Sequence, residues 1–298
     1  PPYGPSEPYP SSPGTEAKRT GHRVARILIA EDSPVNREVA VGMLEILGYQ
    51  VEMAENGRQA LELAGRSQFD LVLMDCQMPE MDGFTATGEI RRREAASGQR
   101  RLTIIALTAN AMQGDREQCL AAGMDDYLTK PYTQVQLQTV VQKWLDKQGT
   151  DRALAPVFSS TQALSGESAP AAAAPAPSTP SMDPKALDGI RALQRPNRPD
   201  VLASVLRKYL DNSRDSVDAL QDAIRANDPA GLQAVAHRLK SSSAQLGALA
   251  VAARCKELEA LGAQKNLIEA DRILVELQSE YAAACAVFRS EIAKEKSS

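Results

Sequence analysis

Between residues 24 and 147, short apolar runs alternate with helix-length amphipathic stretches. The runs are RILIA (26–30), YQVEMA (49–54), FDLVLM (69–74), LTIIAL (102–107) and the weaker DYL (126–128). Between them lie PVNREVAVGMLEILG, GRQALELAGRS, the stretch after Gly83 and AMQGDREQCLAAG, and TQVQLQTVVQKWLDK closes the unit. Near-continuous apolar runs suit strands covered on both faces, and strand–helix alternation makes neighbouring strands parallel. The pattern predicts an α/β unit of five parallel strands with helices on both sides. Gly48, Gly65 and Gly123 stand where helix C-termini are expected.

Residues 182–298 show no strand alternation. Helices are expected near 184–193, 199–226, 229–246, 248–262 and 267–293, with breaks at RPNRPD, NDP and LGA. Four long helices with short connections predict an all-α up-down bundle. The lead, 1–23, and the stretch 148–181, which contains SAPAAAAPAPSTPS, are too rich in Pro, Ser, Gly and Ala to bury a core. The expected layout is therefore a disordered lead (1–23), an α/β domain (24–147), a flexible linker (148–181) and a helical domain (182–298). The linker's ends would lie roughly 30 Å apart as a flexible chain, with its prolines extending it.

Composition removes several classes of function. Net charge is −4, with 13 basic against 18 acidic residues in 24–147 and 17 against 16 in 182–298, so neither unit is a basic nucleic-acid reader. Four scattered cysteines (Cys76, Cys119, Cys255, Cys285) form no CxxC pair, which argues against a disulfide framework or zinc site and fits a reducing cytosol. The two histidines, His22 and His237, are too far apart for a His-rich metal centre. No signal peptide or apolar membrane-spanning run is present. A chain opening on Pro1 rather than Met is expected to be part of something longer, whose remainder could be membrane-anchored.

In an open parallel sheet, ligands bind at the carboxyl ends of the strands. Glu31 and Asp32 follow the first run, Asp75 the third, Thr108 the fourth, and Lys130–Pro131 the fifth. A single Asp after a strand is most often a helix cap, but five polar groups at successive strand ends form a constellation. Three packed carboxylates repel unless a cation intervenes, and hard oxygen ligands suit Mg²⁺. A lysine and a hydroxyl would then hold phosphoryl oxygens. This chemistry points to phosphoryl transfer onto a carboxylate.

The segments ILIAEDSPVN, LVLMDCQMPEMDGF, ALTAN and YLTKPY resemble the receiver domain of two-component signalling over the whole first unit. The resemblance implies a flavodoxin-like sheet in the order 2-1-3-4-5. It makes Asp75 the phosphoacceptor, Glu31 and Asp32 the acidic Mg²⁺ pair, and the Gln77 carbonyl a further metal ligand. It also makes Thr108 the switch hydroxyl, Lys130 the phosphate-binding cation, and Lys130–Pro131 a cis peptide. Tyr127 stands where receivers carry a rotating aromatic, and Gln77 and Asn110 where they tune acyl-phosphate lifetime. Asp82 is expected to cap the next helix rather than bind metal.

In GLQAVAHRLKSSSAQLGA, advancing about 100° per residue puts Leu232, Val235, Ala236, Leu239, Ser243 and Leu246 on one buried stripe. His237 points about 140° away from Leu232, which predicts exposure to solvent. Lys240 lies one turn on, with the small Ser241 and Ala244 beside it. A neutral imidazole is a competent nucleophile near pH 7, and a lysine beside it can neutralise a phosphoryl group. AHRLKSSSAQLGALAVAARCKELE resembles the histidine-phosphotransfer (HPt) domain, which implies His237 as phosphoacceptor and Lys240 as its electrostatic helper. Ser241 replaces the frequent glycine of that motif. Arg238, Arg254 and Lys256 could steer an acidic partner or simply form a solvated face.

Together the two motifs resemble the C-terminal part of a hybrid sensor histidine kinase. The resemblance implies that an upstream kinase transmitter phosphorylates Asp75, that the group passes to His237, and that a downstream response regulator receives it. No Gly-rich nucleotide loop is present, so autophosphorylation from ATP is not expected of these residues. The rival readings are a regulatory module that docks on and inhibits an upstream kinase, with His237 as phosphate sink, and a stand-alone phosphotransfer adaptor.

Overall fold

The computed structural model describes residues 24–98, 100–109, 113–147, 181–196 and 198–295. The expected lead and linker, His22 and Asn110 lie outside the described residues.

The first unit runs β1 (Arg26–Ala30), α1 (Pro34–Ile46), β2 (Gln50–Ala54), α2 (Gly57–Arg66), β3 (Leu71–Asp75), α3 (Gly83–Ser97), β4 (Thr103–Thr108), α4 (Gln113–Ala121), β5 (Asp126–Thr129) and α5 (Gln134–Lys147). The five strands form one parallel sheet in the order β2-β1-β3-β4-β5. In the central strands β3 and β4 every residue is buried, as a sheet covered on both faces requires. Alternate side chains serve opposite cores. Ile27, Ile29, Leu71, Leu73, Ile105 and Leu107 join one, and Leu28, Ala30, Val72, Met74, Ile104 and Ala106 the other.

The sequence marks several helix starts correctly. Ser33 accepts the Asn36 amide, with Pro34 opening α1, and the Asp82 carboxylate accepts the Thr85 amide at 2.7 Å. Asp82 is thus a cap, as expected. Gly48 and Gly123 adopt left-handed φ values of 82° and 96° just beyond helix ends. Gly65 does not: α2 continues through it to Arg66, and Ser67 forms the C-cap. The expectation for Gly65 is corrected, because the residues after it still make helical hydrogen bonds, with the Ser67 amide donating to Leu63.

The second unit comprises α6 (Pro184–Arg191), α7 (Val201–Arg225), α8 (Pro229–Gln245), α9 (Leu249–Ala263) and α10 (Ala270–Glu295). α7 packs on α8, α8 on α9, α9 on α10, and α10 back on α7, which closes a four-helix ring. Its core holds Tyr209 edge-on against Phe288, with Leu206, Leu232, Leu239, Leu258 and Leu277. All four cysteines are free and buried.

The two units touch. α1 lies between the sheet and the bundle, packing against α7 and α8 as well as β1 and β2. It is buried nearly all round, Asn36 and Glu38 included. One apolar cluster therefore runs from the sheet through α1 into the bundle. Among the described residues no helix is long and apolar enough to cross a membrane.

Candidate functional site

The carboxyl edge of the sheet gathers the side chains expected there. Asp75, the last residue of β3, is 3% exposed. Lys130 Nζ lies 2.6 Å from Asp75 Oδ2 and 2.5 Å from Glu31 Oε2. Asp75 Oδ1 accepts the Gln77 backbone amide at 3.2 Å. Thr108 ends β4, one residue past the Leu107 that pairs with Asp75, and is buried. The Lys130–Pro131 peptide is cis. Gly83 is needed here for space, because a Cβ on it would stand 2.1 Å from the Asp75 carbonyl oxygen. Tyr127 is half-buried against the second core, at the end where β4 and β5 pair.

Electrostatically the cluster is unfinished. Glu31, Asp32 and Asp75 each place a carboxylate oxygen within 4.8 Å of the others. Burial raises the Asp75 carboxyl above the ordinary range, Lys130 opposing and Glu31 adding to the rise. Burial and then Glu31 raise Asp32 as well. Burial works against the charge on Lys130, yet Asp75 and Glu31 hold its pKa above the usual lysine value. One lysine cannot balance three carboxylates, and the buried Asp32 Oδ2 has no hydrogen-bond partner. An orphaned oxygen in an all-oxygen, net-negative cluster fits a hard divalent cation such as Mg²⁺.

The bundle holds the second cluster. His237 Nδ1 lies 2.6 Å from Glu259 Oε1, and the other Glu259 oxygen pairs with Lys240 Nζ. A carboxylate can only accept, so Nδ1 carries a proton, and in the neutral imidazole Nε2 then keeps the free lone pair. Burial raises the pKa of Glu259, but the hydrogen bonds from His237 and Lys240 outweigh it and hold the carboxyl below its usual value. Glu259 was missed by the sequence reading. On α9, Cys255, Leu258 and Gly262 are buried, and Glu259 sits half-buried beside that stripe, where its role depends on partners on α8.

The stripe Leu232, Val235, Ala236, Leu239, Ser243 and Leu246 is buried as expected. His237 is not exposed as expected: it is 8% accessible. The wheel projection treats the helix as if the bundle were its only neighbour. Glu259 flanks the ring, and the first unit covers this face: Asn36 Nδ2 donates to Ser241 Oγ, four residues beyond His237, at 2.8 Å. The same amide donates to Glu31 Oε1 at 3.1 Å. His237 and Arg238 lie close enough to Asp32 for their charge to pull its pKa down. The two clusters therefore face one another.

Residues 27–142 match the family model of the response regulator receiver domain, and residues 204–287 match that of the Hpt domain. The first unit is a receiver and the second an Hpt domain. Sensor protein GacS of Pseudomonas syringae pv. syringae is 47% identical over 122 residues, covering 41% of this chain and 14% of that protein. Sensor histidine kinase GacS of Pseudomonas protegens is 33% identical over 249 residues, covering 82% of this chain and 25% of that protein. The chain thus spans a quarter or less of these relatives. The crystallised receiver domain of a Pseudomonas aeruginosa sensor histidine kinase, with magnesium coordinated in its active-site cleft, is 49% identical. It is covered to 99%, covers 42% of this chain and has a TM-score of 0.38.

Of the cations that could steer an acidic partner, Arg238 lies close enough to Asp32 of the receiver to act on its charge. Arg254 pairs within the Hpt domain with Glu257 and Glu276. Arg195, Arg198 and Lys208 also meet the receiver, through hydrogen bonds or ion pairs with α1.

Proposed function

We propose that the chain is a two-step phosphorelay segment. Asp75 accepts a phosphoryl group from the transmitter of an upstream histidine kinase, carried by the same parent chain. It passes the group to His237, which hands it to a downstream response regulator. The observation that carries this reading is the facing of the two clusters through Asn36, bonded at once to Glu31 and Ser241.

Glu31, Asp32 and Asp75, with the Gln77 carbonyl, would hold Mg²⁺, which when bound supplies positive charge to the phosphoryl oxygens. Lys130 and the Thr108 hydroxyl lie at the same edge to receive the remaining oxygens. In the transfer the His237 Nε2 lone pair forms a bond to phosphorus as the bond to the Asp75 oxygen breaks, and the electron pair returns to the carboxylate. The imidazole keeps its Nδ1 proton and gains positive charge, which Glu259 offsets from 2.6 Å. Lys240 moderates the negative charge of the incoming group. The relay is assigned to the cytoplasm, consistent with free cysteines throughout.

The test uses the chain with Mg²⁺ and acetyl phosphate, comparing wild type, Asp75→Asn and His237→Gln by intact mass and by acid and base lability. Acid-labile phosphohistidine in wild type that is lost in both variants supports the relay. Base-labile phosphoaspartate alone, unchanged in His237→Gln, contradicts it.

A further inference from the structure

On α1, Glu38, Val41, Gly42 and Glu45 recur at helical spacing and form a stripe turned away from the sheet. Glu38 and Val41 are each 8% exposed, although one is charged and the stripe is not part of the receiver's own core. The Hpt domain covers them. Lys208 Nζ lies 2.5 Å from Glu38 Oε2, Ser204 Oγ donates to Glu38 Oε1 at 3.0 Å, and Arg198 Nη2 lies 3.4 Å from the same oxygen. The other terminal nitrogen of Arg198 reaches Glu45 at 3.1 Å. Arg195 donates to the Gly42 carbonyl at 3.3 Å, and a Cβ on Gly42 would stand 3.3 Å from Leu193.

A desolvated acid contributes little to raw stability but fixes which surface can cover it, since an unpartnered buried charge is costly. None of these groups bonds to Asp75, Lys130, His237 or Glu259. We propose that Glu38 is the latch of a closed state in which the receiver is registered on its own Hpt domain and shields His237 from any second receiver. A downstream receiver must reach His237 Nε2, so release of this latch precedes the outward hand-off. The proposal deepens the relay reading and rests on it for its functional meaning.

The latch can be read without phosphotransfer. In the full chain, carbethoxylation of His237 by diethyl pyrocarbonate is followed by peptide mass spectrometry for wild type, Glu38→Lys, Lys208→Glu, Gly42→Gln and the double exchange Glu38→Lys with Lys208→Glu. The single variants are expected to modify about tenfold faster, and the double exchange to return to within about threefold of wild type. In parallel, phosphohistidine formed from acetyl phosphate, normalised to Asp75 phosphorylation, should fall about tenfold in the singles and recover in the double exchange. Circular dichroism confirms that each variant is folded. Wild-type modification rates in the singles, or no recovery in the double exchange, overturn the latch. Protection of His237 with no phosphohistidine in wild type would keep the latch and refute the relay.

Discussion

Asn36 donates to Ser241 across the domain interface at 2.8 Å while its other amide proton serves Glu31 at 3.1 Å. One side chain thus couples the acidic cluster of the receiver to the helix face that carries His237. Removing each end of this link should have separable effects. Ser241→Ala loses only the crossing hydrogen bond, and phosphohistidine formation in a single-turnover assay should slow about fivefold, the equivalent of ~1 kcal/mol. Asn36→Ala also frees Glu31, so it should slow transfer further and weaken Mg²⁺ binding measured by calorimetry. Equal effects of both variants on Mg²⁺ would contradict this division.

Glu259 bonds His237 at Nδ1 and, in the proposed relay, would supply countercharge to the phosphoimidazole. Glu259→Gln retains the reach but not the charge, and should lower the rate of phosphohistidine formation at saturating donor by about tenfold or more. His237 protection from diethyl pyrocarbonate should stay near the wild-type level, because Glu259 takes no part in the α1 latch.

The same carboxyl gives an acid-stability signature. Its folded pKa lies below the ordinary value of 4.5, so its contribution is fully present above 4.5 and is lost as pH falls through the depressed folded value. Thermal melts of wild type should therefore fall faster below pH 4.5 than those of Glu259→Gln. Parallel curves would show that Glu259 is not held ionised by His237 and Lys240.

Asp32 carries the orphaned oxygen of a repulsive cluster. Asp32→Asn should weaken Mg²⁺ at least about tenfold by calorimetry and, without metal, raise the melting temperature by about 4 °C as repulsion is relieved. A lower melting temperature in chelator would mean that the carboxylate stabilises the receiver by itself.

Much of this site was legible in the sequence because its residues stand at the ends of apolar runs. Asp75, Thr108 and Lys130 needed only the rule that ligands gather at the carboxyl edge of a parallel sheet. The buried stripe of α8 followed from helical spacing, while His237 was singled out by the resemblance to the HPt motif. Glu259 and Glu38 were not legible in the same way, since each matters through a partner on another element. For Glu38 those partners lie at least 160 residues away in the chain. The exposure expected of His237 failed for the same reason: a helical wheel reports the neighbours within one bundle and knows nothing of a docked domain. Arg254, which the sequence left between steering a partner and a solvated face, pairs with Glu257 and Glu276 of its own bundle.

The most direct measurement is the concentration dependence of transfer. The chain is charged at Asp75 by a pulse of labelled acetyl phosphate, the donor is removed, and the appearance of acid-labile label at His237 is followed over a hundredfold range of protein concentration. A docked pair within one chain predicts first-order transfer with a rate constant independent of concentration. A rate that rises in proportion to concentration, or label that leaves Asp75 only as inorganic phosphate, would contradict it.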